Sequence, residues 1–534
     1  MKNDGSWLPV YEILYSTEKY MEGGLLPEEE LLADQPLGQK LIKKWFWLYF
    51  FTIFIGPAGY LVRVLISNSI SVADVGIVYS VMWLVRILAT YHDLWFTEAL
   101  QYHLPKYWIE KKYNAYKTSI YLTLLVQIGS GLIIAFILFF GANFLAVHYF
   151  HSPQSAHIIK IFCLYFLWLG FYNILFSIYI AFQDIIQNRL IELIRSYSIL
   201  IFSFCFLLFG NLNIINFTRS WVIWIWMALL FSFIVFIKKY RFTLKKWEIE
   251  RSKAIINKQI KYALWVFIWA NVAGLLFQLD QQFAIYFLWA QAAGYYTNYS
   301  SLIALFTIIT WPILSYIFPL TTELIAKNHH ERFILLKNMF YKYFSLFAIS
   351  ISWLFIVFWR EIATVFFGQK FIYSWYLLQY SALFLIFNIL FSINFWFLAG
   401  MGKVRDRAKI IFLALIINII LSLIFIQLWW LIGIVIAMVV ARIILFYLSY
   451  RLINRDKQIV FDRGYLFKNS LGIAIVCIIL YYVKDRIFVL EDIHRYRNFL
   501  YLGLITIGYY LYILAINYKN VIMIKKELRS MTKI

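Results

Sequence analysis

Residues 51–100 read FTIFIGPAGYLVRVLISNSISVADVGIVYSVMWLVRILATYHDLWFTEAL. Two apolar runs fill this stretch, separated by a polar turn at 68–74. A helix needs about 20 mostly apolar residues to cross the hydrocarbon core of a bilayer. Each run meets that length once the first is followed back to Leu41. Neither alternates polar and apolar residues, so a transmembrane β-strand is excluded. The stretch therefore reads as two membrane helices joined by a short turn.

Working outward, the pattern continues almost without pause. Apolar runs lie at 41–67, 75–99, 118–141, 157–182, 187–210, 218–237, 262–287, 293–320, 337–358, 374–399, 408–427, 429–450, 465–483 and 498–518. The expected fold class is an all-α polytopic membrane protein with about fourteen transmembrane helices. Composition agrees. The chain is 63% hydrophobic and 14% charged, against about 45–50% apolar and about 25% charged in soluble domains. That excludes a soluble globular protein and a disordered chain. Cys163, Cys205 and Cys477 all sit in apolar runs, so they form neither a disulfide framework nor a metal set.

The net charge of +22 is explained by position. Basic residues crowd alternate loops: Lys106 to Lys117, Lys238 to Lys261, Lys403 to Lys409, Arg451 to Lys468, and the tail from Lys519. Loops 68–74 and 142–156 hold no Lys or Arg. The excess of Lys and Arg marks cytoplasmic loops, which predicts a plasma (inner) membrane protein with both termini cytoplasmic. A nucleic-acid partner is not needed. The last outer loop breaks the pattern, with Lys484, Arg486, Arg495 and Arg497. Residues 1–40 form an acidic extension without an apolar run of span length, so no cleavable signal peptide is expected.

An internal repeat shapes the expected domains. Gly76, at the entry to the second span, aligns with Gly294 at the entry to the eighth, and NILFSI occurs at both 173–178 and 388–393. A short indel reconciles the two matches. The reading is two six-helix bundles related by a pseudo-repeat, an N-lobe at 41–237 and a C-lobe at 262–450. A basic linker at 238–261 joins them, two C-terminal helices follow at 465–518, and a basic tail ends the chain at 519–534. Parallel repeats of this kind are a transporter architecture with the substrate between the halves.

Charged side chains within spans cost about 2.5–3.5 kcal/mol each and usually face a cavity or a partner. Arg63, Arg86, Arg195 and Arg442 are the candidate cavity cations, and Asp280 and Asp93 the candidate ion-coupling carboxylates. Alternative readings stand beside these. Arg195 can pair with Glu192 three residues earlier, and Arg63 can snorkel or pair with Asp280. Asp93, beside His92 and one turn from Glu98, is either a relay or a network at the cytoplasmic mouth. Gly56, Pro57 and Gly59 form a candidate hinge in the first span, because proline removes a helix hydrogen bond. No cofactor motif is present. Gly400-Met401-Gly402-Lys403 lacks the spacing of a phosphate-binding loop, and neither HExxH nor GxSxG occurs.

Several stretches resemble one family. Arg63-Val64-Leu65-Ile66, followed by a polar turn and Asp74-Val75-Gly76-Ile77-Val78-Tyr79, is similar to its first two spans. Asp280 through Tyr295-Tyr296, then Pro312, Pro319 and Glu323, resembles its seventh and eighth. Phe367-Gly368 and Ala399-Gly400-x-Gly402-Lys403 resemble its turns. Over about residues 41–520 the chain resembles Wzx-type polysaccharide flippases of the multidrug/oligosaccharidyl-lipid/polysaccharide exporter (MOP) superfamily. The resemblance implies that an undecaprenyl-diphosphate-linked oligosaccharide moves from the inner to the outer leaflet by alternating access. Membrane lipids, Na+ or H+, and a polysaccharide polymerase complex are its implied partners. The rival readings are a drug/cation antiporter of the same superfamily and a polytopic glycan polymerase or ligase.

Overall fold

Backbone N–H and C=O groups in hydrocarbon must be bonded within the protein. In the computed structural model this chain meets the demand with helices, and no strand occurs among the described residues. The structure describes residues 37–182, 184–240, 249, 253–314, 317–326, 329–382, 384–454, 463–489 and 494–518. The acidic extension through residue 36, residues 241–248 and 250–252 of the basic linker, and the basic tail lie outside the described residues.

The first half comprises α1 (Leu37–Ser69), α2 (Val72–His92), α3 (Phe96–Ile109), α4 (Tyr113–His148), α5 (Ser155–Ala181), α6 (Ile185–Leu208) and α7 (Ile214–Val235). The second comprises α8 (Lys253–Leu314), α9 (Ile317–Ala326), α10 (His330–Phe367), α11 (Ile372–Ala382), α12 (Leu385–Gly400) and α13 (Val404–Ile453). Two more helices, α14 (Arg463–Ile487) and α15 (Arg495–Ile516), pack on α10. Among the described residues, ten helices are long and apolar enough to cross a membrane, or eleven if the bent pair α11 and α12 is one span.

Two long helices each contain two of the expected spans. In α8 the backbone reverses at Trp289 (φ 69°). The Gln281 amide consequently donates to the carbonyl of Ala293 at 3.1 Å, although twelve residues of straight helix would rise about 18 Å. In α13 the breaks are at Trp429 and Trp430. A Cβ on Gly433 would stand 2.1 Å from the Phe425 carbonyl oxygen, so the two halves of α13 fold back on each other at a position that needs glycine. The second span is shorter than the expected 75–99. It ends at His92, and a left-handed turn at Leu94 and Trp95 starts the separate helix α3.

Side-chain size sorts the faces of α4. Gly131, Ala135, Ala142 and Ala146 are buried, whereas Ile133, Phe136, Phe140 and Phe144 are exposed. Without a hydrophobic drive between helices in lipid, small residues let backbones approach closely and large apolar ones meet lipid. A Cβ on Gly131 would indeed lie 2.9 Å from the Phe166 carbonyl of α5.

The two halves meet chiefly where α2 packs on α8. The centre of that contact is Gly76 against Gly294, the two glycines paired by the sequence repeat. A Cβ on Gly76 would lie 1.9 Å from the Ala290 carbonyl oxygen, and one on Gly294 2.1 Å from that of Val72. Polar bonds flank them: Ser67 to Asn298 at 3.0 Å, Gln281 to Ser80 at 3.0 Å, and Tyr149 to Gln282 at 2.9 Å. The halves are therefore sealed together at the end opposite the basic loops.

Candidate functional site

The first half gathers three of the four candidate cations. Arg63 on α1 lies flat on the ring of Tyr79 of α2, 3.3 Å from its centroid. Arg86 on α2 stands 5.0 Å from Trp83, and Arg195 on α6 5.8 Å from Trp224. A guanidinium on an aromatic face keeps an attractive partner when it has lost part of its water. Arg63 and Arg195 are both within electrostatic reach of Arg86, and Tyr165 of α5 is within reach of Arg86 and Arg195. Arg86, in the middle of α2, is exposed. The Arg63 Nη1 is buried without a hydrogen-bond partner.

Among the described residues, none of these three cations has a carboxylate within ion-pair distance. Glu192, a possible partner of Arg195 on sequence, is bonded at 2.6 Å to Arg189 instead. An i, i+3 neighbour on either side is geometrically equivalent, and the side of Arg189 is the one taken. Like charges that stand close together repel one another. The arrangement is relieved by an anion with several charges.

The fourth cation is in the second half. Arg442 of α13 lines a pocket with Tyr299, Ser381, Asn388 and Met438. It is the cation in electrostatic reach of Asp280; Arg63 is instead held on Tyr79 in the other half. Asp280 is 2% exposed. Its Oδ1 accepts from Asn418 at 2.8 Å and its Oδ2 from the Tyr296 hydroxyl at 3.1 Å. The Asn418 Oδ1 and the Ser422 hydroxyl one turn further on are buried and unpartnered. A carboxylate, an amide oxygen and a hydroxyl suit a proton or a hard monovalent cation. Neither Asn418 nor Ser422 was singled out by sequence, since a lone amide or hydroxyl in an apolar run gives no signal.

Asp93 lies just beyond the end of α2, apart from the arginine cluster, and joins Thr97, Glu98 and Gln127. Of the candidate hinge residues, Pro57 stands inside the continuous helix α1, next to Gly56, and Gly59 has open space where a Cβ would be.

Two cations of the last basic loop, which broke the charge alternation, are held by local partners. Lys484 of α14 pairs with Glu361 of α10 at 3.3 Å and donates to the Val357 carbonyl at 2.8 Å. Arg495 donates to the carbonyls of Val365 and Phe366 and, at 2.6 Å, to Asn68 Oδ1. The last carbonyls of a helix lack intrahelical donors and attract a cation. Lys370 adds a 2.6 Å bond to the Ile70 carbonyl. These cations tie the sealed end of α1 to α10.

A family model described as polysaccharide biosynthesis protein matches residues 41–325, more than half of the chain. The chain belongs to this family. An uncharacterized membrane protein of Methanocaldococcus jannaschii is 25% identical over 435 residues, which are 78% of this chain and 84% of that protein. Among solved structures, the lipid II flippase MurJ in an inward closed conformation matches with a TM-score of 0.66 at 16% identity, over 90% of this chain and all of the other. An inward-facing MATE-family multidrug resistance transporter of the MOP superfamily matches with a TM-score of 0.63 at 12% identity, over 78% of this chain and 96% of that one. A MOP superfamily transporter from Pyrococcus furiosus gives 0.55 at 12% identity, over 78% and 95%. These likenesses establish a shared fold. This is a multi-pass membrane protein of the polysaccharide biosynthesis family, with the fold that those transporters share.

Proposed function

We propose that the protein flips a diphosphate-linked lipid oligosaccharide, of the undecaprenyl-diphosphate kind, from the inner to the outer leaflet of the plasma membrane by alternating access of its two halves. The observation that carries this reading is the cluster of Arg63, Arg86 and Arg195, which lacks a described counter-carboxylate. A diphosphate supplies several charges and oxygens spaced for paired guanidinium hydrogen bonds. Aromatic faces beside the cluster suit sugar rings. In this reading the seal between α2 and α8 is the closed outer gate, and the substrate reaches Arg86 from the side of the basic loops. Asp280, with Asn418 and Tyr296, is the candidate for ion coupling, and Gly56, Pro57 and Gly59 the candidate bending point. A drug/cation antiporter would need a cleft dominated by acids, and the cluster has the opposite sign.

The test is flipping of a diphosphate-linked polyprenyl oligosaccharide by the purified protein in vesicles. Arg86→Ala abolishes it at unchanged protein level, and Arg86→Lys recovers part of it because charge returns without the fork. Normal flipping by Arg86→Ala overturns the reading.

A further inference from the structure

The proposed cycle leaves one half-buried cluster unused. The turn after α2 brings Asp93 beside Glu98 of α3. Thr97 Oγ1 lies 2.5 Å from Asp93 Oδ2 and 3.3 Å from Glu98 Oε2. A hydroxyl has one proton to donate; the shorter contact, to Asp93, takes it, and Glu98 Oε2 receives none. The shared Thr97 hydroxyl places the two carboxyl groups side by side. Two carboxylate anions repel at that distance, whereas a single proton makes the contact a charge-assisted bond.

A second observation points the same way. Gln127 of α4 is fully buried, and its amide points into the pair. The Nε2 donates to Asp93 Oδ1, and the Oε1 on the same head has no partner. That oxygen is a buried, unpartnered acceptor on the same amide head that bonds Asp93. Burial, with the charge of Asp93 next to it, pushes the Glu98 carboxyl up to about 8. His92 is the adjacent titratable side chain on α2, and its ring stands against Gly131 of α4. Among the described side chains, the other contacts around the pair are with neutral groups: Gln127 from α4, Ser177 of α5 through Gln101 of α3, and Ala263 of α8. No group of three His, Cys, Asp or Glu among the described residues is placed to hold a metal.

The surroundings give the cluster a lever. Phe96 and Ala99 of α3 pack on Ala263 of α8, and Gln259 of α8 donates to Thr123 of α4 at 2.9 Å. The start of α8, the helix that carries Asp280, is thus docked on the first half beside the carboxyl pair.

We propose that Asp93 and Glu98 hold one exchangeable proton between them, and that this proton keeps the start of α8 docked against the first half. The place of this site in a transport cycle rests on the flippase reading; its existence does not. With the proton bound, the pair carries one negative charge and an internal hydrogen bond. When the proton leaves to water on the side of the basic loops, two anions face each other in a poorly solvated corner. Their repulsion moves α3 off Ala263.

The experiment is pH-difference infrared spectroscopy of the purified full chain in lipid. A carboxylic-acid carbonyl band is lost as pH rises through about 8, with release of one proton per chain. Glu98→Gln and Asp93→Asn each displace that transition from about 8, the double variant removes it, and Asp280→Asn keeps it. Absence of the transition in the wild-type protein overturns the proposal, as does its survival at an unchanged pH in both corner variants or its displacement by sodium at fixed pH. The wild-type titration decides the matter even if a variant fails to fold. For the docking, a single cysteine at Ala263→Cys is labelled faster as pH rises through the same range, and Glu98→Gln makes labelling slow and independent of pH. Constant labelling of the otherwise wild-type chain overturns the docking role. Failure to flip lipid with the band intact refutes the flippase reading and leaves the proton site standing.

Discussion

Gly76→Ala tests whether the α2–α8 contact is the closing surface of a two-state transporter. Its Cβ would stand 1.9 Å from the Ala290 carbonyl oxygen, whereas ordinary contact begins at 3.4 Å. The helices must separate by the difference, 3.4 − 1.9, about 1.5 Å, or bend by as much. Gly294→Ala demands about 1.3 Å by the same subtraction from 2.1 Å. Overpacking of this size typically costs 1–3 kcal/mol. The cost falls on the sealed state alone, because the glycines part when the outer end opens. At 1.4 kcal/mol per factor of ten, the equilibrium shifts towards the open form by roughly 5-fold to 150-fold. The assay is labelling of a single cysteine at Ala293→Cys, fully buried in the seal, by an impermeant thiol reagent from outside, with Cys163, Cys205 and Cys477 replaced. Labelling rises by that factor in Gly76→Ala, and the two glycine changes combine less than additively because they relieve one contact. Unchanged labelling in a folded protein refutes the reasoning.

Three further outcomes follow from other parts of the fold. Asp280→Asn leaves lipid-linked oligosaccharide binding largely intact but makes flipping in vesicles insensitive to an imposed proton or sodium gradient; full gradient dependence eliminates the coupling role. Glu361→Gln leaves Lys484 buried without its anion and costs about 3–5 kcal/mol of stability, whereas Glu361→Leu with Lys484→Met restores much of it, as thermal unfolding in detergent would read. A reporter fused after Lys246 reads cytoplasmic and one after Ser152 reads external, and the opposite result at either point overturns the topology.

Much of the helical layout was legible because apolar length is a strong signal in a membrane chain. The reversals at Trp289 and Trp430 were visible only as neighbouring runs. What sequence could not give was pairing. Glu192 has arginines three residues away on both sides, and only packing places Arg189 within 2.6 Å. Arg63 and Asp280 sit in different halves of the sequence, and nothing along the chain says that Tyr79 holds the first while Arg442 faces the second. The end of α2 at His92 was also hidden, because Leu94, Trp95 and Phe96 continue the apolar run while the backbone turns. The alignment of Gly76 with Gly294 came from a weak repeat, and the structure adds that the two glycines touch.

The central claim, that the arginine cluster recognises a diphosphate, is tested most directly by equilibrium binding of polyprenyl diphosphate and polyprenyl monophosphate to the purified protein, wild type and variants. The account predicts tighter binding of the diphosphate, weakening by added salt, and at least about a tenfold loss in each of Arg63→Ala and Arg86→Ala, the size of one lost charge-assisted bond of about 1.5–3 kcal/mol. Equal affinity for the two lipids, with no loss in either arginine variant, contradicts it.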